Sequence, residues 1–124
     1  MKTLLQWLTI VMAIGMILAG ATHFLRTRIY LRIVPEFFPL RILIIQLSGL
    51  IELLAGLGLL IPAFRSKAAL VVLILMIGFL PLHIWDVFRE RPAMGSKTNA
   101  WIRLVLQFLL IGWAWLITRA TPQN

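Results

Sequence analysis

The apolar run from Ile42 to Ile61 constrains this chain more than any other stretch. Thirteen of its 20 residues are Leu or Ile. At about 1.5 Å per residue, a helix of that length crosses a bilayer core of about 30 Å. One carboxylate, Glu52, interrupts the run near its middle. A central acid costs about 2.5–3.5 kcal/mol to insert and each Leu or Ile returns about 0.3–0.6 kcal/mol, so the segment still enters a membrane. Glu52 is therefore expected to face other helices and to have a polar partner there.

The composition agrees with a membrane environment. Hydrophobic residues make up 61% of the 124 residues and charged residues 13%, whereas a soluble domain has about a quarter charged residues. The net charge of +8 is carried by cations in short gaps between apolar runs, which indicates contact with lipid headgroups rather than with nucleic acid. The chain has no cysteine, which excludes disulfides and thiolate metal sites within it.

Four apolar runs predict a single all-α domain over residues 1–124, an integral membrane bundle of four transmembrane helices. The predicted spans are about 4–24, 41–61, 68–88 and 100–118. A cleaved signal peptide is the alternative for the first run, but its length and its single preceding lysine, Lys2, favour a retained helix. Residues 26–40 mix apolar and aromatic side chains with arginines, which is typical of a segment lying in the membrane interface.

Four spans place the first and third connections on one side of the membrane, which we call the first face. The Lys and Arg residues near this face are Arg26, Arg28, Arg32, Arg41, Arg89, Arg91, Lys97 and Arg103. Those near the opposite, second face are Lys2, Arg65, Lys67 and Arg119. Because cytoplasmic segments are enriched in Lys and Arg, the first face is predicted to be cytoplasmic and both termini periplasmic.

Candidate site residues from all four predicted helices fall in the half of the bundle nearest the first face: His23, Glu52, His83, Arg103 and Gln107. Glu52 lies about 16 Å from Arg41 along its helix, near the midplane. Arg103 is expected to be the partner of Glu52, because a guanidinium reaches several ångströms deeper than its backbone. The two histidines would complete the network as hydrogen-bond donors or proton carriers.

Two interpretations of this polar set remain open. It is either a site that binds or protonates a ligand, or a buried Glu–Arg pair that only fixes helix packing. No metal site is predicted, because two histidines and one carboxylate at unequal depths are a poor ligand set.

Four segments carry a resemblance to a known family. They are residues 20–24 (GATHF), 30–35 (YLRIVP), 48–62 (SGLIELLAGLGLLIP) and 101–107 (WIRLVLQ). Together they resemble the DoxX-like small membrane proteins, and the resemblance covers nearly the whole chain. It implies a four-helix bundle in the bacterial cytoplasmic (inner) membrane, and His23, Glu52, Arg103 and Gln107 match recurring polar positions of that family. Some of its members are subunits of quinone-linked enzymes or partners of redox-stress proteins. Thiol chemistry does not carry over, because the chain has no cysteine.

The leading hypothesis is therefore an accessory membrane protein rather than a stand-alone enzyme, associated with a redox protein complex and with a quinone as its ligand. The alternatives are a carrier or binding protein for a small molecule or lipid headgroup, and a purely structural membrane subunit.

Overall fold

The computed structural model describes residues 2–90, 92 and 96–121. Its helices are α1 (Lys2–Leu25), α2 (Thr27–Leu31), α3 (Arg41–Leu60), α4 (Arg65–Phe88) and α5 (Lys97–Ala120). The four longer helices are each long and apolar enough to cross a membrane, which confirms the predicted all-α, four-span architecture. Their ends lie within three residues of the predicted positions. Arg91, which was counted in the orientation argument, lies outside the described residues.

The helix ends follow from local sequence. Helix α3 ends just before Pro62, which has no backbone N–H to continue the helix. Helix α5 begins after Ser96, whose hydroxyl accepts a hydrogen bond of 3.1 Å from the Asn99 backbone N–H and so satisfies a free donor of the first turn. Helix α4 continues through Pro81 to Phe88.

The connection between α1 and α3 folds back onto the bundle. Helix α2 is its one regular element among the described residues, and Val34 and Pro35 after it are buried. Arg41 donates hydrogen bonds to the carbonyls of Leu31 and Val34, the second at 2.9 Å. These bonds hold the predicted interfacial segment against the first-face end of the helices.

The helices pack as two close pairs. Helix α1 packs most extensively on α3, and α4 on α5; α3 and α4 join the pairs, and α1 and α5 touch least. The diagonal pairs α1–α4 and α3–α5 make no backbone contact within the described residues. The α1–α3 pair is closest at Gly20 and Gly49, since an ideal Cβ added to Gly20 would lie 2.6 Å from the Gly49 carbonyl oxygen. Small residues thus bring these two backbones together, as they do in other membrane helix pairs.

Apolar packing predominates in the half of the bundle nearest the second face. The buried residues there include Met12, Leu59, Val72 and Ile117, supplied by all four long helices. Many Leu, Ile and Phe side chains point outward and are exposed, as expected for a surface solvated by lipid. The protein is therefore a multi-pass membrane protein whose buried ionisable residues, His23, Glu52 and Asp86, lie between the first face and the middle of the bundle.

Candidate functional site

A cavity of about 590 Å³ extends from the first-face connection to beyond the middle of the bundle, where Val11 and Trp113 line it. We call it the central cavity. Every helix contributes to its wall, and its polar lining residues are His23, Tyr30, Ser48, Glu52, His83, Arg103, Gln107 and Trp113. The structure thus brings all of the predicted site residues to a single cavity. The cavity exists because the diagonal helix pairs do not meet across the centre of the bundle.

The predicted pair between Glu52 and Arg103 is wrong. Glu52 lies on α3 beside His23 of α1, with 2.9 Å between Oε2 and Nδ1. Arg103 instead donates to Asp86 of α4, with 3.1 Å between Nη1 and Oδ2. Each acid is paired within its own close helix pair, because α3 and α5 stand diagonally opposite each other.

The His23–Glu52 contact is buried and incompletely satisfied. Only 6% of His23 and 3% of Glu52 are exposed. His23 Nδ1 also lies 2.8 Å from the Ala19 carbonyl oxygen, which can only accept, so Nδ1 must carry a hydrogen. That N–H is aligned on the Ala19 carbonyl oxygen, so Glu52 Oε2 accepts no well-aligned hydrogen bond from it despite its short distance to Nδ1. The Glu52 carboxylate therefore lacks a well-aligned donor.

The α1–α3 pair also positions an aromatic cover for this contact. Tyr30 of α2 stacks on the His23 ring, with 4.0 Å between ring centroids and 15° between the planes. The hydroxyl groups of Tyr30 and Thr22 are 2.6 Å apart and share a hydrogen bond. Tyr30 thus fixes the His23 ring from the side of the first face, a role that sequence reasoning did not assign. The GATHF and YLRIVP segments contain both partners, but their contact depends on the fold of the connection.

Asp86 organises a second polar cluster on the α4–α5 pair. It is 1% exposed, and besides Arg103 it has the Arg89 guanidinium at 3.5 Å. Arg103 Nη2 lies 3.4 Å from His83 Nδ1. Because a guanidinium only donates, Nδ1 of His83 accepts there and Nε2 of the neutral ring carries the hydrogen. Asp86 is absent from the candidate residues predicted from the sequence, although it lies one helical turn from His83 and is one of only four acids in the chain.

Gln107 and Trp113 complete the α5 wall. Gln107 is buried, and its side-chain Nε2 donates a 2.6 Å hydrogen bond to the Met76 carbonyl oxygen of α4. The Trp113 indole N–H is buried without a hydrogen-bond partner. An unpaired buried donor and an unpaired buried acceptor thus belong to lining residues of one cavity.

The described residues contain no cluster of three or more His, Cys, Asp or Glu side chains that could hold a metal ion. The remaining wall of the cavity is largely apolar, with Met16, Ile33, Phe79 and Leu110 among its members. A mostly apolar cavity of this volume with a few converging polar groups is typical of small-molecule binding sites. The donors and acceptors available to a bound cofactor are those of the polar lining.

Fold and site together define a class: a four-span membrane protein with a polar-lined cavity between its helices. The family described as "Domain of unknown function (DUF8561)" matches residues 12–118, which contain every residue of the candidate site. The chain belongs to this family. Comparison with curated proteins and with solved structures gives no match.

Proposed function

We propose that this protein binds a small lipid-soluble molecule in the central cavity and acts as an accessory subunit in quinone-linked redox metabolism of the bacterial cytoplasmic membrane. The observation that carries the proposal is a ligand-sized cavity at membrane depth with the buried, incompletely hydrogen-bonded Glu52 in its wall. Buried ionisable groups in membrane spans are costly, and they commonly mark sites of binding or proton movement.

The packing supports access from the lipid. On the first face, the connection after α1 covers the cavity with Ile29, Tyr30, Ile33 and Val34. Hydrogen bonds from Arg41 hold this cover in place. Between α1 and α5, in contrast, contact is the least extensive of all adjacent long helices. A molecule dissolved in the acyl chains would therefore meet its thinnest barrier at the α1–α5 seam.

A quinone is the ligand class that we propose. Its ring and tail suit the apolar wall, and its oxygens require hydrogen-bond donors, which His83 and Trp113 supply among the lining residues. The resemblance to DoxX-like proteins supports the same class. The four residues that match recurring polar positions of that family, His23, Glu52, Arg103 and Gln107, all line this one cavity.

The test is mass spectrometry of the small molecules and proteins that co-purify from native membranes in mild detergent. Two matched variants test whether the co-purifying molecule is bound in the central cavity. An added Cβ at either Gly15 of α1 or Gly112 of α5 meets no atom within 4 Å, but only Gly15 is a lining residue of the central cavity. We expect a quinone, in its oxidised or its reduced (quinol) form, to co-purify with wild type and Gly112→Leu and to be lost from Gly15→Leu. Equal recovery from both variants would refute binding in the cavity, and protein partners without any small molecule would favour a structural subunit.

A carrier is the second candidate, because a further cavity of about 430 Å³ lies near the second face. Its wall includes Gln6 and Thr9 of α1, Arg65 of α4 and Thr121 after α5. The two cavities have no lining residue in common. A carrier predicts time-dependent uptake of a defined solute into proteoliposomes, whereas an accessory subunit predicts none.

A further inference from the structure

The Glu52 carboxylate determines which ligands the cavity can hold. Its closest polar neighbour, His23 Nδ1, directs its hydrogen to the Ala19 carbonyl oxygen. On the α1 side the two backbones are in contact at Gly20 and Gly49, so no additional group can approach from there. The cavity is the remaining side from which a donor can reach the carboxylate. A buried acceptor left without a donor is unfavourable, so a ligand that supplies one gains affinity.

The charge of the ligand follows from the lining residues. The described wall contains one formal negative charge, on Glu52, and one formal positive charge, on Arg103. Arg103 has its own counterion in Asp86, outside the lining. An added anion would be repelled by Glu52, and an added cation would lose its hydration shell in a largely apolar cavity that already holds the Arg103 guanidinium. A neutral donor avoids both costs.

We infer that the central cavity selects neutral, apolar molecules that carry a hydroxyl group, and that this hydroxyl donates its hydrogen bond to Glu52. This inference rests on the proposed binding function and adds the chemical class of the ligand. The apolar body of the ligand would lie against Met16, Phe79 and Leu110. A quinol presents such a hydroxyl and its quinone does not, so the reduced form is the one the site should prefer.

The experiment uses three probes with the same alkylbenzene body: a 4-alkylphenol, its methyl ether, and the corresponding benzylamine, which is cationic at neutral pH. Binding to the protein in lipid nanodiscs is measured by titration calorimetry, with empty nanodiscs as the baseline for partitioning. Wild type should bind the phenol about tenfold or more tighter than the ether, as expected for a hydrogen bond to a carboxylate. It should also bind the phenol more tightly than the amine.

Two substitutions of the carboxylate test its role. Glu52→Gln keeps an acceptor but removes the charge, so the preference for phenol over ether should fall severalfold. Glu52→Leu removes the acceptor and an ionisable group from the membrane span, so the variant should insert readily and bind both probes equally. A preference for the phenol that survives in Glu52→Leu would overturn the inference, as would tighter binding of the amine or the ether by wild type.

The Gly15→Leu and Gly112→Leu variants distinguish a failure of this inference from a failure of the proposed binding function. If Gly15→Leu binds all probes as well as Gly112→Leu does, the cavity is not the binding site and both proposals fail. If Gly15→Leu alone loses binding while wild type does not distinguish phenol from ether, binding in the cavity stands and the donor requirement is wrong.

Discussion

The closest approach of α1 and α3 gives the strongest stability prediction, for the substitution Gly49→Ala. An ideal Cβ at Gly49 would lie 2.5 Å from the Cβ of His23 and 3.0 Å from the Gly20 carbonyl oxygen. The carbon–carbon distance is about 1 Å shorter than a normal contact of about 3.5–4.0 Å. Neither opposing atom can rotate away, because one is a Cβ and the other belongs to the backbone. The two helices must therefore move apart.

The size of the effect follows from two opposing contributions. Overpacking costs about 1–3 kcal/mol, and the fixed opposing atoms place this site near the upper end. Alanine stabilises a helix by up to about 1 kcal/mol relative to glycine, because its helix propensity is higher. We expect Gly49→Ala to lower the free energy of unfolding by about 2 kcal/mol. The matched control is Gly112→Ala, whose added Cβ has no atom within 4 Å. This variant should keep the free energy of unfolding of wild type or raise it slightly.

The assay is reversible unfolding in mixed detergent micelles as the mole fraction of sodium dodecyl sulfate rises, followed by circular dichroism. Because Gly49 lies against the Cβ of His23, the same variant should also lengthen the His23–Glu52 contact and weaken ligand binding. Unfolding curves that superimpose for Gly49→Ala and Gly112→Ala would show that the backbones are not in contact there, and the assigned α1–α3 pairing would have to be abandoned.

Two further predictions concern the polar pairs and the orientation. In double-mutant cycles for unfolding, Glu52→Gln should couple to His23→Asn by more than about 0.5 kcal/mol, because these two side chains are in contact. The effects of Glu52→Gln and Arg103→Gln should be additive. Coupling to Arg103→Gln but not to His23→Asn would restore the partner expected from sequence. The chain has no cysteine, so single cysteines at Glu90 on the first face and Phe64 on the second face report orientation without background. We expect a membrane-impermeant thiol reagent added to spheroplasts to label Phe64→Cys and spare Glu90→Cys, and labelling with the opposite pattern would place the first face outside.

Much of the fold was predictable from the sequence because the membrane restricts the choices. Backbone polar groups in lipid must be satisfied internally, so each long apolar run has to be a helix. The same restriction turns a lone acid inward, and Glu52 is indeed buried at 3% exposure. The clustering of polar residues toward the first face was also visible, because depth in the bilayer follows directly from position along a helix.

The partner of Glu52 was not predictable in the same way, because depth does not tell which helices are neighbours. Glu52 and Arg103 fall in the same half of the bundle but on diagonal helices. Helices also need not end at equal heights in the membrane. Gly49 lies about 12 Å from the start of α3, whereas Gly20 lies about 8 Å from the end of α1. Their contact therefore shifts α3 relative to α1 and brings His23 within reach of Glu52.

The correction of the partners changes what the polar groups can do. A Glu52–Arg103 pair would have crossed the centre of the bundle and locked α3 to α5. Instead, each buried acid is held within one close helix pair, Glu52 between α1 and α3 and Asp86 between α4 and α5. The two pairs are joined mainly through α3 and α4, and the cavity lies between them. The α1–α5 seam can therefore widen while Glu52 stays beside His23 and Asp86 stays paired with Arg103, and this leaves the centre of the bundle free to admit a ligand.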